Sequence, residues 1–145
     1  MAGFSDTFEN DVCKLIFNAT AIGNIADNAA SSPLTNLWCG LHTSDPGDAG
    51  TMGTNEGGYA QYTRISVART TAGWVVTNNS VSPVANIDFP QNTSTSTGTF
   101  THASIGVTSA STGAKIIAAG TISPNINFSQ NVTPRLTTAS SFTLD

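Results

Sequence analysis

The side chains that carry out most hydrolytic and acid–base reactions are scarce in this chain. It has two histidines, two cysteines, two glutamates and seven aspartates among 145 residues. A nucleophile or a general base needs a second side chain that holds and activates it. The sequence contains none of the patterns GxGxxG, GxxxxGK[ST], HExxH or GxSxG that supply such arrangements. We therefore expect no enzymatic activity and no bound cofactor.

One set of side chains has the chemistry of a zinc site: Cys13, Cys39, His42 and His102. Cys39 and His42 are three residues apart, which on a strand places them on opposite faces. We therefore do not expect them to bind one metal ion. In a reducing compartment the two cysteines are expected to be small, buried hydrophobic residues.

The acidic residues of the longest predicted loop, residues 44–58, are Asp45, Asp48 and Glu56. They could gather around calcium, because hard cations take several oxygen ligands. Their spacing matches no EF-hand, so we expect a solvated loop and no metal. Glu56 could instead form an ion pair with Arg64 or Arg69 and pin the loop to the following strand.

Four aromatic residues are candidates for sugar binding, because flat rings stack on sugar faces: Trp38, Tyr59, Tyr62 and Trp74. Core packing is the alternative for each of them. We favour core packing for the two tryptophans. For the two tyrosines both interpretations remain open.

The charge composition limits the partners. Charged residues make up 10% of the chain, against about 25% in a typical protein. The net charge is −4 and the five cationic residues do not cluster, so we expect no nucleic-acid binding. The start MAGFSDTFENDV resembles no signal peptide, so we expect synthesis in a cytoplasm. No apolar run could span a bilayer, so we expect no membrane association. Serine, threonine and asparagine occupy 51 positions, which predicts a neutral, hydroxyl-rich surface.

A single amphipathic helix is predicted at residues 7–22. Asp6 and Glu9 have the spacing of a capping box, and Gly23 is placed to end the helix. The apolar residues at helical spacing are Phe8, Val12, Leu15, Ile16, Ala19 and Ile22. Such a stripe must be buried, either on the protein's own sheet or on a neighbouring subunit.

From residue 34 onward the hydrophobic period changes to two, as in antiparallel strands. The first strand contains Leu37, Cys39 and Leu41 on one face and ends at the turn Asp45–Gly47. The other predicted strands are 59–70, 74–78, 83–89, 99–107, 115–122, 125–129 and 140–144. We predict a mainly β protein, an antiparallel β-sandwich or jelly-roll-like domain of about eight strands with one N-terminal helix. Residues 1–33 would form the helix and a linker, residues 34–145 the sandwich, and the whole a single folding unit.

Several short motifs carry a resemblance to a known family. They are LHTSDPG at 41–47, TNE at 54–56, YTRISVAR at 62–69, GW at 73–74, FP at 89–90, IGV at 105–107, GAK at 113–115 and the segment from VTP at 132–134 to the end. With them the chain resembles a widespread family of small tailed-bacteriophage virion proteins. Its members are described as capsid decoration (cement) proteins or as tail-associated proteins.

The resemblance implies a structural role in the virion. The interpretation that we favour is a cement protein on the capsid surface, made in the bacterial cytoplasm. We expect it to bind as a homo-oligomer, either a dimer or a trimer, over the joints between subunits of the major capsid protein. The alternative is a tail-associated or receptor-binding protein, for which Tyr59 and Tyr62 would contact the host. The residues predicted to form interfaces are Phe4, Phe8, Val12, Leu15 and Ile16 at the chain start, and Asp45, Asp48, Glu56, Tyr59 and Tyr62 in or next to the long loop.

Overall fold

The computed structural model describes residues 5–28, 32–110 and 114–144, and it is mainly β. Its described residues form one helix near the N-terminus and nine strands, which confirms the predicted class. The elements are α1 (Asp6–Asn18), β1 (Asn36–His42), β2 (Ile65–Ala68), β3 (Trp74–Thr77), β4 (Ser80–Pro83), β5 (Ile87–Asp88), β6 (Gly98–Gly106), β7 (Ile116–Phe128), β8 (Arg135–Leu136) and β9 (Phe142–Thr143). No helix in this described part of the chain is long and apolar enough to cross a membrane.

The strands form three sheets, with the orders β2-β1-β6-β7, β3-β4-β9 and β5-β8. The chain divides into two compact units. Unit 1 is Met1–Asn36, Val67–Asn86 and Thr137–Asp145, and unit 2 is Leu37–Ser66 and Ile87–Leu136. The predicted boundary between residues 33 and 34, the single folding unit and the sandwich or jelly-roll arrangement stay predictions.

Helix α1, in unit 1, is shorter than predicted. It follows Ser5, whose extended backbone accepts the N–H groups of Phe8 and Glu9 at 2.9 and 3.0 Å, without a side-chain cap. It ends at Asn18, because Ala19 adopts a left-handed conformation with φ 54°. The predicted end at Gly23 is therefore wrong.

Arg69 explains the earlier end of the helix. Its Nε donates to the carbonyl of Ile16 and its Nη2 to that of Leu15, both at 2.6 Å. Its Nη1 donates to Asn28 Oδ1 at 2.8 Å. A guanidinium at a helix C-terminus satisfies free carbonyls and opposes the negative end of the helix dipole. Arg69 lies 53 residues after Ile16, so no local pattern reveals this cap.

The buried face of α1 also differs from the predicted stripe. Glu9, Cys13 and Phe17, at successive i, i+4 positions, are the buried side chains of the helix. Phe17 meets Trp74 edge to face, with ring centroids 5.3 Å apart, and Trp74 is 1% exposed. Core packing of Trp74 is thereby confirmed. The predicted residues lie beside this face and are half-buried: Phe8, Val12, Leu15 and Ile16. The edge-to-face contact with Trp74 sets which side of the helix turns inward.

In unit 2, β1 and β6 pair antiparallel and present two different faces. Leu37, Cys39 and Leu41 share a buried face, as predicted. The opposite face carries Trp38, Gly40 and His42 of β1 and, across the register, His102, Ser104 and Gly106 of β6. We call this second face the loop face, because the long loop packs on it.

Met52 anchors the long loop to the loop face. Its side chain is fully buried, and its backbone N–H donates to the carbonyl of Ala114 at 2.9 Å. A Cβ on Gly106 would lie 1.9 Å from Met52 Sδ, and one on Gly40 would lie 3.3 Å from Met52 Cε. The two glycines therefore leave the space that the methionine fills.

Strand β7 corrects the prediction of two separate strands at 115–122 and 125–129. Thr121 pairs with His102 and Ile126 with Phe100, so residues 122–125 bulge opposite Thr101. Pro124 lies in this bulge of a strand at the end of its sheet, where a missing N–H is tolerated. The proline interrupts the pairing without ending the strand.

Other predicted strands are longer than the observed ones. Of residues 59–70 only Ile65–Ala68 form a strand, and 83–89 divides into the end of β4 and the short β5. Ala85, within the predicted strand 83–89, is exposed in the turn between them. Strand β8, which pairs with β5, was not predicted, because two residues are too few for a visible alternation.

Gly106→Ala is expected to destabilise the protein by about 1–3 kcal/mol, because a Cβ there overlaps Met52 Sδ and approaches the Lys115 carbonyl to 2.7 Å. Gly120→Ala is the matched control, since nothing lies within 4 Å of its Cβ position on the neighbouring strand. Urea unfolding followed by circular dichroism measures both. Equal unfolding midpoints for the two variants would contradict the proposed packing of Met52.

Candidate functional site

A buried ion pair lies under the long loop in unit 2. Arg64 donates through Nε to Glu56 Oε1 at 2.8 Å and through Nη2 to Glu56 Oε2 at 2.7 Å. The Arg64 and Glu56 side chains are 3% and 17% exposed. The predicted pairing of Glu56 is thus confirmed for Arg64, whereas Arg69 caps α1. Removing one member of a buried pair leaves an uncompensated charge and typically costs about 3–5 kcal/mol.

The same two side chains connect two further segments, β1 and the segment after β6. Arg64 Nη1 donates to the carbonyls of Thr108 and Ala110, which follow β6. Tyr62 donates its hydroxyl proton to Glu56 Oε1 at 3.1 Å and accepts the backbone N–H of Leu41 at 2.7 Å. Burial raises the pKa of Tyr62, so this hydroxyl remains a donor at neutral pH. The ion pair therefore holds the loop, β1 and the segment after β6 together.

Tyr59 and Tyr62 belong to an aromatic cluster inside unit 2. The Tyr62 ring stacks on Phe89 with centroids 5.8 Å apart and an angle of 5°. Tyr59 packs on Phe128 with a centroid distance of 5.4 Å and donates its hydroxyl to the Pro90 carbonyl. Tyr59 is buried, Tyr62 is half-buried, and both hydroxyls are used internally. Of the two open interpretations for these tyrosines, the structure agrees with core packing.

His42 and Ser104 form a second polar contact on the loop face. His42 Nδ1 lies 2.9 Å from the carbonyl of Thr54, which can only accept, so Nδ1 carries the proton. Nε2 then accepts the Ser104 hydroxyl at 2.7 Å. Desolvation lowers the pKa of His42, which keeps the ring neutral. The Thr54 carbonyl and Glu56 raise this pKa, whereas Arg64 and His102 lower it further.

This histidine–serine contact has the geometry of a base and its nucleophile, but both side chains are 0% exposed. No substrate reaches them in this conformation, and the contact satisfies two buried polar groups. Sequence reasoning missed Ser104. Its signal was the alternation within β6, which places Ser104 on the same face as His102.

The candidate metal ligands do not converge. Cys39 and His42 lie on opposite faces of β1, and burial raises the pKa of Cys39 to about 12. Asp45 Oδ1 accepts the N–H of Gly47 at 2.9 Å, Asp48 is exposed, and Glu56 is paired with Arg64. Within residues 5–28, 32–110 and 114–144 no group of three or more histidine, cysteine, aspartate or glutamate side chains is placed to hold a metal ion.

Trp38 is not packed in the core, contrary to the favoured interpretation. It is half-buried and lines an open cavity. The cavity has a volume of about 440 Å³, and we call it the Trp38 pocket. It is lined by Trp38, Glu56, Tyr62, Thr63, Arg64 and Ser109. The ion pair therefore has one side turned to this pocket.

Residues 3–141 match the model of a protein family described as podophage GP4 fiber I protein gp80. The chain belongs to this family. No curated protein matches the chain. The match confirms the resemblance to phage virion proteins, so the protein is a phage virion structural protein. The family description fits the tail-associated alternative. Structural fibre proteins are not a class of enzyme.

The predicted interface residues of this fibre I family protein fall into three groups. Phe4 lies outside the described residues. Phe8, Val12, Leu15 and Ile16 are half-buried on α1, and Asp45 and Asp48 are exposed in the long loop. Glu56, Tyr59 and Tyr62 make the internal contacts described above. An interface role for the accessible residues stays a prediction.

The stability of the protein is expected to fall when the pH is lowered from about 7.5 to about 5.5. Because burial lowers the pKa of His42 from its ordinary value of 6.5, the unfolded chain binds a proton that the folded chain does not. The stabilisation is complete above that ordinary pKa and is lost as the pH falls below it. The loss reaches at most about 1.4 kcal/mol for each pH unit.

His42→Gln removes this proton and is expected to flatten the dependence of the free energy of unfolding on pH over the same interval. His102→Gln, at the paired position on β6, removes a minor cause of the lowered pKa of His42 but keeps desolvation, the largest one, and should keep most of the loss. Urea unfolding at several pH values measures the slope for each protein. Equal slopes for the wild type and His42→Gln would show that His42 is not the group responsible.

Proposed function

We propose that the protein is a structural component of a podophage tail fibre and that it assembles there with further copies of itself. The observation that carries the proposal is the family match over residues 3–141, whose description names a fibre protein. The internal chemistry agrees with a structural role, because the ion pair and the His42–Ser104 contact hold the long loop on the sheet of unit 2.

Strand β7 supports self-assembly. It lies at the end of the order β2-β1-β6-β7, so among the described strands only β6 pairs with it. Its 13 residues, IIAAGTISPNINF, include no charged side chain. Before its bulge, over residues 116–121, this outer strand offers N–H and C=O groups to a strand from another chain, whereas monomeric proteins usually protect such an edge with charge, proline or a bulge. A second copy of β7, antiparallel to the first, would give a self-complementary pairing.

Unit 1 supports contact with other virion proteins. Among its described residues, large hydrophobic side chains with exposures from 45% to 69% are Ile25, Leu34, Val75 and Val84. The half-buried stripe of α1 belongs to the same unit. In a fibre the partner for this surface is an adjoining fibre protein. In the cement interpretation it is the major capsid protein.

Ala119→Lys tests the proposed pairing of β7, because Ala119 is exposed in this strand and each copy would carry the added charge into the new interface. We expect the wild-type protein to sediment as an oligomer and Ala119→Lys to sediment as a smaller species. Gln130→Lys adds the same charge at an exposed position just beyond β7 and should behave as the wild type. A monomeric wild-type protein, or identical sedimentation of the two lysine variants, would overturn the pairing.

Antibodies coupled to gold particles, applied to purified virions, test the location. The fibre proposal predicts label at the tail. Label distributed over the head would overturn it and favour the cement interpretation.

A further inference from the structure

We propose that the Trp38 pocket binds a pyranose sugar through two neighbouring hydroxyl groups. The inference deepens the fibre role, on which its biological meaning rests, since a fibre is exposed to the sugars of a cell surface. The binding itself is a property of unit 2, which supplies every residue that lines the pocket.

The ion pair leaves one hydrogen-bond donor and one acceptor unused. Arg64 has five N–H donors: one on Nε and one on Nη2 go to Glu56, and the two on Nη1 match the carbonyls of Thr108 and Ala110. One N–H of Nη2 is left. Glu56 has about four acceptor positions, of which Oε1 uses two, for Arg64 and Tyr62, and Oε2 uses one. One acceptor position of Oε2 is left.

The remaining donor and acceptor sit side by side, because Nη2 and Oε2 are 2.7 Å apart. Each hydroxyl of a sugar is both a donor and an acceptor. Two neighbouring hydroxyls can therefore accept from Arg64 and donate to Glu56 at the same time. The ion pair holds both groups in place before binding, which reduces the entropy lost on association.

Trp38 supplies the second wall of the pocket. Its half-buried indole offers an apolar surface, and the C–H face of a pyranose ring packs against aromatic rings of this kind. The hydroxyls of Thr63 and Ser109 also line the pocket. The volume of about 440 Å³ lies in the lower part of the range of about 300–1,000 Å³ that is typical of ligand pockets.

The charge of the pocket favours a neutral ligand. Glu56 and Arg64 neutralise each other, and the other four lining residues are uncharged. A phosphate or a carboxylate would meet Glu56 without a free cation to offset it. A neutral ring with several hydroxyls matches an aromatic wall and a paired donor and acceptor.

The test uses saturation-transfer NMR and calorimetry on the purified full-length protein. The probes are methyl α-D-mannopyranoside and methyl β-D-galactopyranoside, which carry neighbouring hydroxyls, and tetrahydropyran-2-methanol, which carries the ring without them. We expect at least one of the two sugars to bind in about the millimolar range and the third probe not to bind. No binding of either sugar, or equal binding of all three probes, would overturn the inference.

Trp38→Ala is expected to weaken sugar binding at least tenfold, and Trp38→Phe to retain part of it. Phe142→Ala removes another half-buried aromatic ring, in unit 1 and outside the pocket, and should bind as the wild type. Circular dichroism establishes that each variant is folded. Equal affinity of folded Trp38→Ala and Phe142→Ala would contradict the site.

Gold label at the tail without sugar binding overturns this inference alone, and sugar binding with label over the head overturns the fibre role alone.

Discussion

The arrangement of unit 2 depends on the requirement that two opposite charges removed from water meet each other. Arg64 is almost fully buried, and its cost of desolvation is offset only because Glu56 receives it through two hydrogen bonds. Glu56 belongs to the long loop and Arg64 to the segment before β2. Forming the pair therefore fixes the path of the loop across the sheet, and it fixes Tyr62 with it.

The rest of the loop is fitted to the sheet by shape and by neutral polar contacts. Met52 occupies the space above Gly40 and Gly106, and neutral His42 links Thr54 to Ser104. A chain with few charges can bury these polar groups because each finds a partner within unit 2. The outcome is a loop held on the sheet, with Glu56 and Arg64 in the lining of the Trp38 pocket.

The sequence predicted those parts of the fold that depend on local alternation or on charge. One example is the buried face of β1 at Leu37, Cys39 and Leu41. Another is the ion pair predicted for Glu56 with Arg64 or Arg69, which forms with Arg64. The end of α1 was not predictable, because its cap, Arg69, is distant in sequence. The continuation of β7 past Pro124 was missed because a bulge absorbs the proline. The Trp38 pocket was missed because it needs the ion pair and the tryptophan to meet in three dimensions.

The proposed fibre role and the cement interpretation differ in the number of copies per particle. Quantitative mass spectrometry of purified virions, with the major capsid protein as the internal reference, measures this number directly. The account predicts a small copy number that matches a set of tail fibres. A copy number in a simple ratio to the capsid subunits would contradict the fibre role and identify a component of the shell.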